Sequence, residues 1–323
     1  MVLLSPGYVA PRFFKNAYLQ TAYSIYLRKV PEVPYFREKL ITPDHDFLYL
    51  DWVTKDPKKL VILTHGITGS SHASYMRGMA NIFLKENWSV LAWNMRGRGG
   101  QTSNWQKKNY HLGFTDDLRF IIDYAVYVRK FQEIVLVGFS MGGNISLKYL
   151  GEEYDRVLPH IKACVAFSAP IDAVSCGDLI DRTPQRLASY HLLRDMVRSI
   201  SSKASLLSPI MDLNRFLKVK TWREFDEIYT APVYGFDSVL EYRIKAGAKP
   251  LLPRIQIPTL LINAKDDPLL SPECCPDDKV MRNHPFLFCE FPDNGGHLGF
   301  VSFDKPGWIW SETRSLDFVK SVL

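Results

Sequence analysis

The sequence predicts an α/β fold in which a mostly parallel, twisted sheet carries helices on both faces. Short apolar strands alternate with helical segments along most of the chain, and one strand is joined to the next helix by a serine flanked by glycines. The chain has 323 residues, of which 46% are hydrophobic, enough to bury one large core. We therefore expect one main domain with an insertion.

The predicted sheet begins with an antiparallel hairpin and continues with parallel strands. Residues 36–42 and 47–53 form the hairpin, because two apolar or alternating segments flank the polar residues Asp44, His45 and Asp46. Later strands are separated by helices, as in a parallel sheet. The other predicted strands are 60–64, 89–94, 134–137, 163–167, 259–263 and 286–291, and the predicted helices are 74–86, 116–130, 144–150 and 308–322.

A second region interrupts this alternation. From Ile171 to about Lys245 the chain is polar, helix-like and rich in Arg and Leu, with Pro184, Pro209 and Pro232 as breaks. We predict a main α/β domain formed by residues 1–170 and 246–323, and a helical cap formed by residues 171–245 inserted over the functional face.

The charge of the chain argues against a nucleic-acid-binding protein. The formal net charge is +6, from 40 basic and 34 acidic residues, and no dense basic run is present. The five cysteines lack paired metal-ligand spacing, and no dinucleotide-binding glycine pattern is found. We therefore predict no metal, no cofactor and no nucleic-acid partner, and expect reduced thiols.

The first 30 residues do not have the pattern of a secretory signal. A charged start followed by an apolar core is missing, and Pro6, Pro11, Arg12, Lys15 and Arg28 interrupt the segment. Elsewhere no uninterrupted apolar stretch reaches the ~20 residues that a membrane-spanning helix needs. The sequence predicts a cytoplasmic protein without an integral membrane segment.

The stretch from Gly138 to Gly142, with Ser140 at its centre, is the most informative motif. It follows the apolar run 134–137 and precedes a helix-competent segment, which is the setting of a nucleophile elbow. The two glycines remove side chains that would collide in so sharp a turn. The N–H of Met141 lies in the first turn of the following helix, where a negative oxygen is favoured, so it is one candidate oxyanion donor.

A serine nucleophile needs a histidine to take its proton and a carboxylate to orient that histidine. Asp267 follows the predicted strand 259–263, and His297 lies between glycines after the strand 286–291. Ser140, Asp267 and His297 thus occur in the order found in nucleophile-elbow enzymes. Asp266 is the competing acid; we favour Asp267 from its distance to the strand end, and Asp266 then caps the loop.

The second oxyanion donor is expected in the loop after the first parallel strand. Residues 64–70, which include His65 and Gly66, follow this strand and reach the same sheet edge as the elbow. The backbone N–H of Ile67 can then face that of Met141 across the substrate oxygen.

With these motifs in hand, the chain resembles the α/β-hydrolases of the YheT-like branch, which includes bacterial esterases and animal phospholipid hydrolases. The resemblance extends nearly end to end and includes Asn16, Leu19-Gln20-Thr21, His65-Gly66, Arg223-Glu224-Phe225-Asp226, Gly235, Ala264 to Pro268 and Gly295 to Phe300. It implies that Ser140 is the nucleophile, His297 the base and the aspartate pair the acid. Tyr18 and Leu298 depart from the residues common in the family.

These observations predict a serine hydrolase that cleaves carboxylic esters through an acyl-enzyme. The expected substrates are small esters with short to medium acyl chains, or lipid-like esters. Two alternatives stay open: an acyltransferase with the same triad, and a binding protein that keeps the fold without turnover. His111 and Asp116 have the H-x4-D spacing of an acyltransferase signature, but Asp116 is explained as an acidic residue in a first helical turn.

Overall fold

Nine strands of the described chain form one sheet. The structure, a computed structural model, describes residues 2–3, 7–100, 108–276 and 284–323. The strands are β1 (Val2–Leu3), β2 (Phe36–Ile41), β3 (Phe47–Val53), β4 (Lys59–Thr64), β5 (Ser89–Asn94), β6 (Glu133–Phe139), β7 (Ile161–Phe167), β8 (Thr259–Ile262) and β9 (Leu287–Glu290). Their order is β1-β9-β8-β7-β6-β4-β5-β3-β2.

All neighbouring strands are parallel except at one edge, where β3 pairs antiparallel with both β2 and β5. The predicted hairpin and the mostly parallel sheet are therefore confirmed. The strand β6 is longer than predicted, because its pairing with β7 continues to Phe139 opposite Phe167. As a result the strand ends directly at Ser140.

The central strands are buried on both faces, which explains their nearly unbroken apolar sequences. In β4, Leu60 and Ile62 join the core on one face of the sheet, while Val61 and Leu63 join the core on the other. All four side chains are fully buried. The sheet is thus packed between helices by two apolar layers. These layers position the loops at the carboxyl ends of the strands.

Helices cover both faces of the sheet. In the main domain they are α1 (Ala17–Ala22), α2 (Ser74–Lys85), α3 (Asp116–Asp123), α4 (Met141–Glu153) and α12 (Trp310–Val322). Wider π-helical turns continue α1 through residues Tyr23–Leu27 and α3 through Tyr124–Val128. Short 3-10 turns lie at Arg12–Phe14, Tyr154–Arg156, Lys249–Arg254 and Pro272–Cys274.

Between Ala173 and Ala246, where every residue is described, the chain forms only helices and connecting turns. These helices are α5 (Ala173–Ile180), α6 (Gln185–Ser201), α7 (Ala204–Leu207), α8 (Leu213–Phe216), α9 (Trp222–Phe225), α10 (Ala231–Tyr234) and α11 (Val239–Ala246), with a π-helical turn at Asp226–Thr230. The role of this region as a cap stays a prediction.

The N-terminal arm, residues 7–30, crosses the helices on one face of the sheet. The Ser74 hydroxyl donates to the carbonyl oxygen of Ser24, joining the arm to α2. The Arg28 guanidinium forms two hydrogen bonds of 2.5 and 2.9 Å with the buried Glu312 carboxylate, joining it to α12. None of the described helices is long and apolar enough to cross a lipid bilayer.

Candidate active site

Ser140 lies at a sharp turn between β6 and α4. Its φ of 54° and ψ of −121° are strained for a residue with a side chain. The turn also needs glycine on both sides: a Cβ on Gly142 would lie 2.2 Å from the Thr64 carbonyl oxygen, and one on Gly138 would lie 2.4 Å from the Gly142 carbonyl oxygen. The glycines therefore allow the backbone approach that lifts the Ser140 hydroxyl above the sheet edge.

A chain of hydrogen bonds joins Ser140, His297 and Asp267. The Ser140 Oγ lies 2.9 Å from His297 Nε2. On the other side of the ring, Nδ1 lies 2.9 Å from Asp267 Oδ2 and 3.1 Å from Oδ1. A neutral imidazole with its proton on Nδ1 satisfies both contacts, since it donates to the carboxylate and accepts from the hydroxyl. The structure thus brings together the three residues that the sequence singled out.

Asp266 occupies a different position from Asp267. Its Oδ1 accepts a hydrogen bond of 2.8 Å from the Gly296 N–H, and its Oδ2 lies 3.4 Å from the side-chain nitrogen of Asn294. Burial raises the pKa of the Asp266 carboxyl, although the bond from Gly296 opposes that shift. Asp266 therefore braces the loop that carries His297, whereas Asp267 contacts the imidazole.

The loop after β4 is held by the buried ring of His65. The Met95 N–H donates to His65 Nε2 over 3.1 Å, so Nδ1 carries the proton and donates to the Gly66 carbonyl oxygen over 2.7 Å. Burial lowers the pKa of His65 to about 4. The sequence pointed to this loop, but the bracing role of the ring depends on a contact with the end of β5 and was missed.

The two residues whose backbone amides are the candidate oxyanion donors line the cavity beside Ser140. Ile67 and Met141 line this cavity together with Ser140 and His297. Among the described residues neither the Ile67 nor the Met141 N–H donates to a protein acceptor, and Gly66 N–H is already bound to the Tyr75 hydroxyl over 3.1 Å. Their role as oxyanion donors stays a prediction.

Changing His65 to glutamine should weaken the dependence of stability on pH. The pKa of His65 lies near 4 in the folded protein, below its ordinary 6.5, so from pH 6.5 down to 4 only the unfolded chain takes up this proton. The free energy of unfolding therefore falls by roughly 3 kcal/mol across that window. Glutamine can still accept from Met95 and donate to Gly66, but it cannot titrate.

Denaturant unfolding at neutral pH and near pH 4.5 measures this effect for both proteins. The loss of stability on acidification should be smaller in His65→Gln than in the wild type. Equal losses in the two proteins would show that His65 is not buried in its neutral form.

The N-terminal arm packs directly against the loop of His297. The His297 N–H donates to the Thr21 hydroxyl over 2.9 Å, and the Val301 N–H donates to Gln20 Oε1 over 3.2 Å. A Cβ on Gly296 would lie 2.4 Å from the Ala17 carbonyl oxygen, so the contact requires glycine there. The Gln20-Thr21 motif of the sequence therefore positions the histidine loop, a role that sequence reasoning did not assign.

Replacing Thr21 by valine should reduce kcat for an ester roughly ten- to hundredfold, with little change in KM. Valine has the same shape but cannot accept the His297 N–H, so the imidazole loses its fixed position. Steady-state kinetics tests this, and Thr21→Ser should restore most of kcat because it keeps the hydroxyl. If Thr21→Ser is as impaired as Thr21→Val, the hydroxyl does not position His297.

The cavity beside Ser140 has a volume of about 140 Å³ and a mostly apolar lining. At one part of its wall the buried Asp226 carboxylate accepts two hydrogen bonds of 3.2 Å from Arg243, and burial raises the pKa of Asp226 to about 6. Apolar lining residues contributed by the region between Ala173 and Ala246 are Ile180, Leu192, Met196, Trp222 and Phe225. This region therefore forms much of the cavity wall.

His111 and Asp116, the pair with acyltransferase-like spacing, make separate contacts. His111 Nδ1 accepts a hydrogen bond of 3.1 Å from the Gly113 N–H, and His111 is one of the residues that line the cavity. Asp116 is the first residue of α3 and pairs with Arg119 at 2.9 Å, with most of its side chain in solvent. The position of Asp116 agrees with its interpretation as an acidic residue in a first helical turn.

The sheet order, the elbow and the order of the three polar residues along the chain are together those of one fold family. A family model described as the alpha/beta hydrolase fold matches residues 59–304. The chain belongs to the α/β-hydrolase fold family.

Relatives of this α/β-hydrolase carry the names of ester hydrolases. The chain is 29% identical to "Putative esterase YheT" of Escherichia coli over 99% of its own length and 94% of that protein. A "Monoacylglycerol lipase" of Saccharomyces cerevisiae is 28% identical over 88% of this chain and 63% of the lipase. The resemblance to the YheT-like branch and the prediction of a carboxylic ester hydrolase are confirmed by these relatives.

A solved structure gives the same fold. The esterase Pf2001 of Pyrococcus furiosus superimposes with a TM-score of 0.58 and 21% sequence identity, over 99% of this chain and 97% of that esterase. At this identity the similarity establishes the fold and leaves the substrate to other arguments.

Proposed function

We propose that this α/β-hydrolase cleaves carboxylic esters with Ser140 as the nucleophile, through a covalent acyl-enzyme. The observation that carries the proposal is the hydrogen-bond chain from the Ser140 hydroxyl through the His297 imidazole to the Asp267 carboxylate. All three groups are buried, and Ser140 and His297 line one apolar cavity. In that setting a hydroxyl can lose its proton to an oriented base.

Acylation involves Ser140, His297 and the two backbone amides. Ser140 Oγ attacks the ester carbonyl carbon while His297 Nε2 takes the hydroxyl proton. The carbonyl oxygen becomes negative and accepts hydrogen bonds from the N–H groups of Ile67 and Met141. The tetrahedral intermediate then collapses, and His297 returns the proton to the departing alcohol.

Deacylation repeats this chemistry with water in place of serine. His297 takes a proton from water, the hydroxide oxygen attacks the acyl carbon, and the acid leaves as Ser140 regains its proton. Asp267 orients the ring and stabilises the imidazolium that forms twice in the cycle. The two amides again hold the negative oxygen.

The cavity favours short to medium acyl chains. Its lining is apolar, so it stabilises hydrocarbon, and its volume of about 140 Å³ is small for a ligand site. We further propose that residues 171–245 act as the cap that sets this limit, because α5, α6 and α9 contribute to the wall. The lipase name of one relative is compatible with lipid-like esters whose chains extend beyond the cavity.

A series of p-nitrophenyl esters of increasing acyl length tests the proposed function. We expect turnover with a maximum of kcat/KM at short to medium chains and a decline for longer ones. The matched variant Leu192→Trp, which fills the α6 side of the cavity, should move the maximum to shorter chains. Absence of turnover across the whole series with folded protein would refute the proposal.

A further inference from the structure

The N-terminal arm exposes an unusual concentration of large apolar side chains. Within its residues 9–27, Phe13 is 83% exposed, Tyr26 64% and Leu27 62%. Val9, Tyr18 and Leu19 are also exposed. Scattered single apolar residues on a surface need no explanation, but a group of this kind marks an interaction site.

Contacts link the arm to the exposed Phe303 and to helix α6. Phe14 packs against the exposed Phe303 with ring centroids 5.7 Å apart. Farther along the arm, the Tyr26 hydroxyl lies 3.0 Å from His191 Nε2 on α6. Leu187, one turn earlier on that helix, is 68% exposed. We call the surface formed by Phe13, Tyr26, Leu27, Leu187 and Phe303 the arm patch.

Basic side chains flank the part of the arm patch that lies on the arm, whereas the exposed Asp304 follows Phe303. The chain carries no Asp or Glu before Glu32, whereas Arg12, Lys15 and Lys29 lie within the arm. These three side chains are exposed, and none has an acidic partner among the residues that the structure describes. Apolar and aromatic side chains among unpaired cations are the composition of a surface that lies on anionic lipid.

The arm patch is connected to the candidate active site on two sides. Helix α6 presents Leu187 to solvent and contributes Leu192 and Met196 to the cavity wall. On the other side, Thr21 of the arm accepts the hydrogen bond from the His297 N–H. A partner bound at the arm patch is therefore close to the elements that form the cavity.

We propose that the arm patch docks this hydrolase onto the surface of an anionic phospholipid bilayer. The apolar side chains enter the boundary between head groups and acyl chains, while Arg12, Lys15 and Lys29 face the lipid phosphates. A second copy of this chain fits less well, because two facing patches would oppose uncompensated cations. The suggestion that docking supplies the enzyme with substrate rests on the proposed function. The docking itself does not depend on that function.

Sedimentation with lipid vesicles tests the proposal in a Ser140→Ala background, where no ester is consumed. Vesicles of phosphatidylcholine and phosphatidylglycerol should bind the protein, and vesicles of phosphatidylcholine alone should bind it at least about tenfold more weakly. High salt should release the bound protein. The double change Phe13→Ser and Leu27→Ser, and the charge reversal Arg12→Glu with Lys15→Glu, should each reduce binding at least about tenfold.

The chain offers a matched control at the far edge of the sheet. Phe36 on β2 and Tyr127 after α3 are similarly exposed, and Phe36→Ser with Tyr127→Ser should leave vesicle binding unchanged. When Ser140 is retained, the arm variants should keep their turnover of a water-soluble ester. This result would show that the variants fold, and it separates docking from catalysis.

Three results would overturn the proposal. The first is absence of binding to anionic vesicles, and the second is equal loss of binding in the arm variants and the control. The third is a concentration-dependent dimer, seen by light scattering, that the arm variants abolish while no vesicle binding occurs. Absence of ester turnover by the folded wild-type protein, by contrast, would refute the proposed function and leave vesicle binding as a separate result.

Discussion

Replacing Ser140 by alanine is expected to lower kcat for any ester substrate by at least about 10⁴-fold. The change removes the atom that forms the acyl-enzyme. An enzyme whose nucleophile, base and acid act together loses nearly its whole rate advantage when one of them is removed. Little stability should be lost, because alanine fills almost the same space at the turn. The remaining turnover reflects binding and the two amides alone.

Ser146→Ala is the matched control for this change. Ser146 is also a buried serine, located within α4, where its hydroxyl donates to the Gly142 carbonyl oxygen over 2.9 Å. It lies away from the imidazole, so we expect kcat to stay within about threefold of the wild type after one lost hydrogen bond. Turnover by Ser140→Ala at a rate comparable to Ser146→Ala would remove Ser140 from the reaction.

Replacing Asp267 by asparagine is expected to reduce kcat by about 10⁴-fold at neutral pH. The asparagine amide can donate toward His297 Nδ1, which favours the tautomer with its proton on Nε2. That nitrogen then cannot accept the Ser140 proton. The geometry stays nearly the same, so KM should change much less than kcat.

The change Asp266→Asn separates this effect from a general loss of charge. Asparagine keeps a carbonyl oxygen that can accept the Gly296 N–H, so kcat should fall by no more than about tenfold. The two variants differ at adjacent positions and are equal in composition. A larger loss in Asp266→Asn than in Asp267→Asn would contradict the assignment of Asp267 as the partner of His297.

The elbow could be predicted from the sequence because its causes are local. Gly138, Ser140 and Gly142 lie within five residues, and the strand before them and the helix after them are visible in the hydrophobic pattern. The convergence of Asp267 and His297 on Ser140 was predictable in outline, since parallel strands bring their carboxyl ends to one edge. The distances among the three side chains required the structure.

Two contacts that brace the site from distant segments were not predictable. Thr21 and His297 are 276 residues apart, and nothing in either local sequence indicates that one holds the other. The role of the His65 ring could not be predicted either, because it accepts a hydrogen bond from the Met95 amide at the end of another strand. Such contacts arise from the packing of the whole sheet, which a single sequence does not reveal.

Helix boundaries show the same division between local and tertiary causes. The pattern predicted one helix over residues 116–130, and the structure forms α3 over Asp116–Asp123 followed by a π-helical turn at Tyr124–Val128. The existence and start of the helix follow from its apolar spacing and its acidic first turn. Its wider last turn does not follow from either.

The most direct test of the central claim is peptide mapping after treatment with a fluorophosphonate, which phosphonylates an activated serine. We predict that the folded wild-type protein is labelled at Ser140 and at no other serine, and that His297→Ala is labelled far more slowly. Folded wild-type protein that stays unlabelled at Ser140, or is labelled as fast without His297, would contradict a serine activated by that histidine.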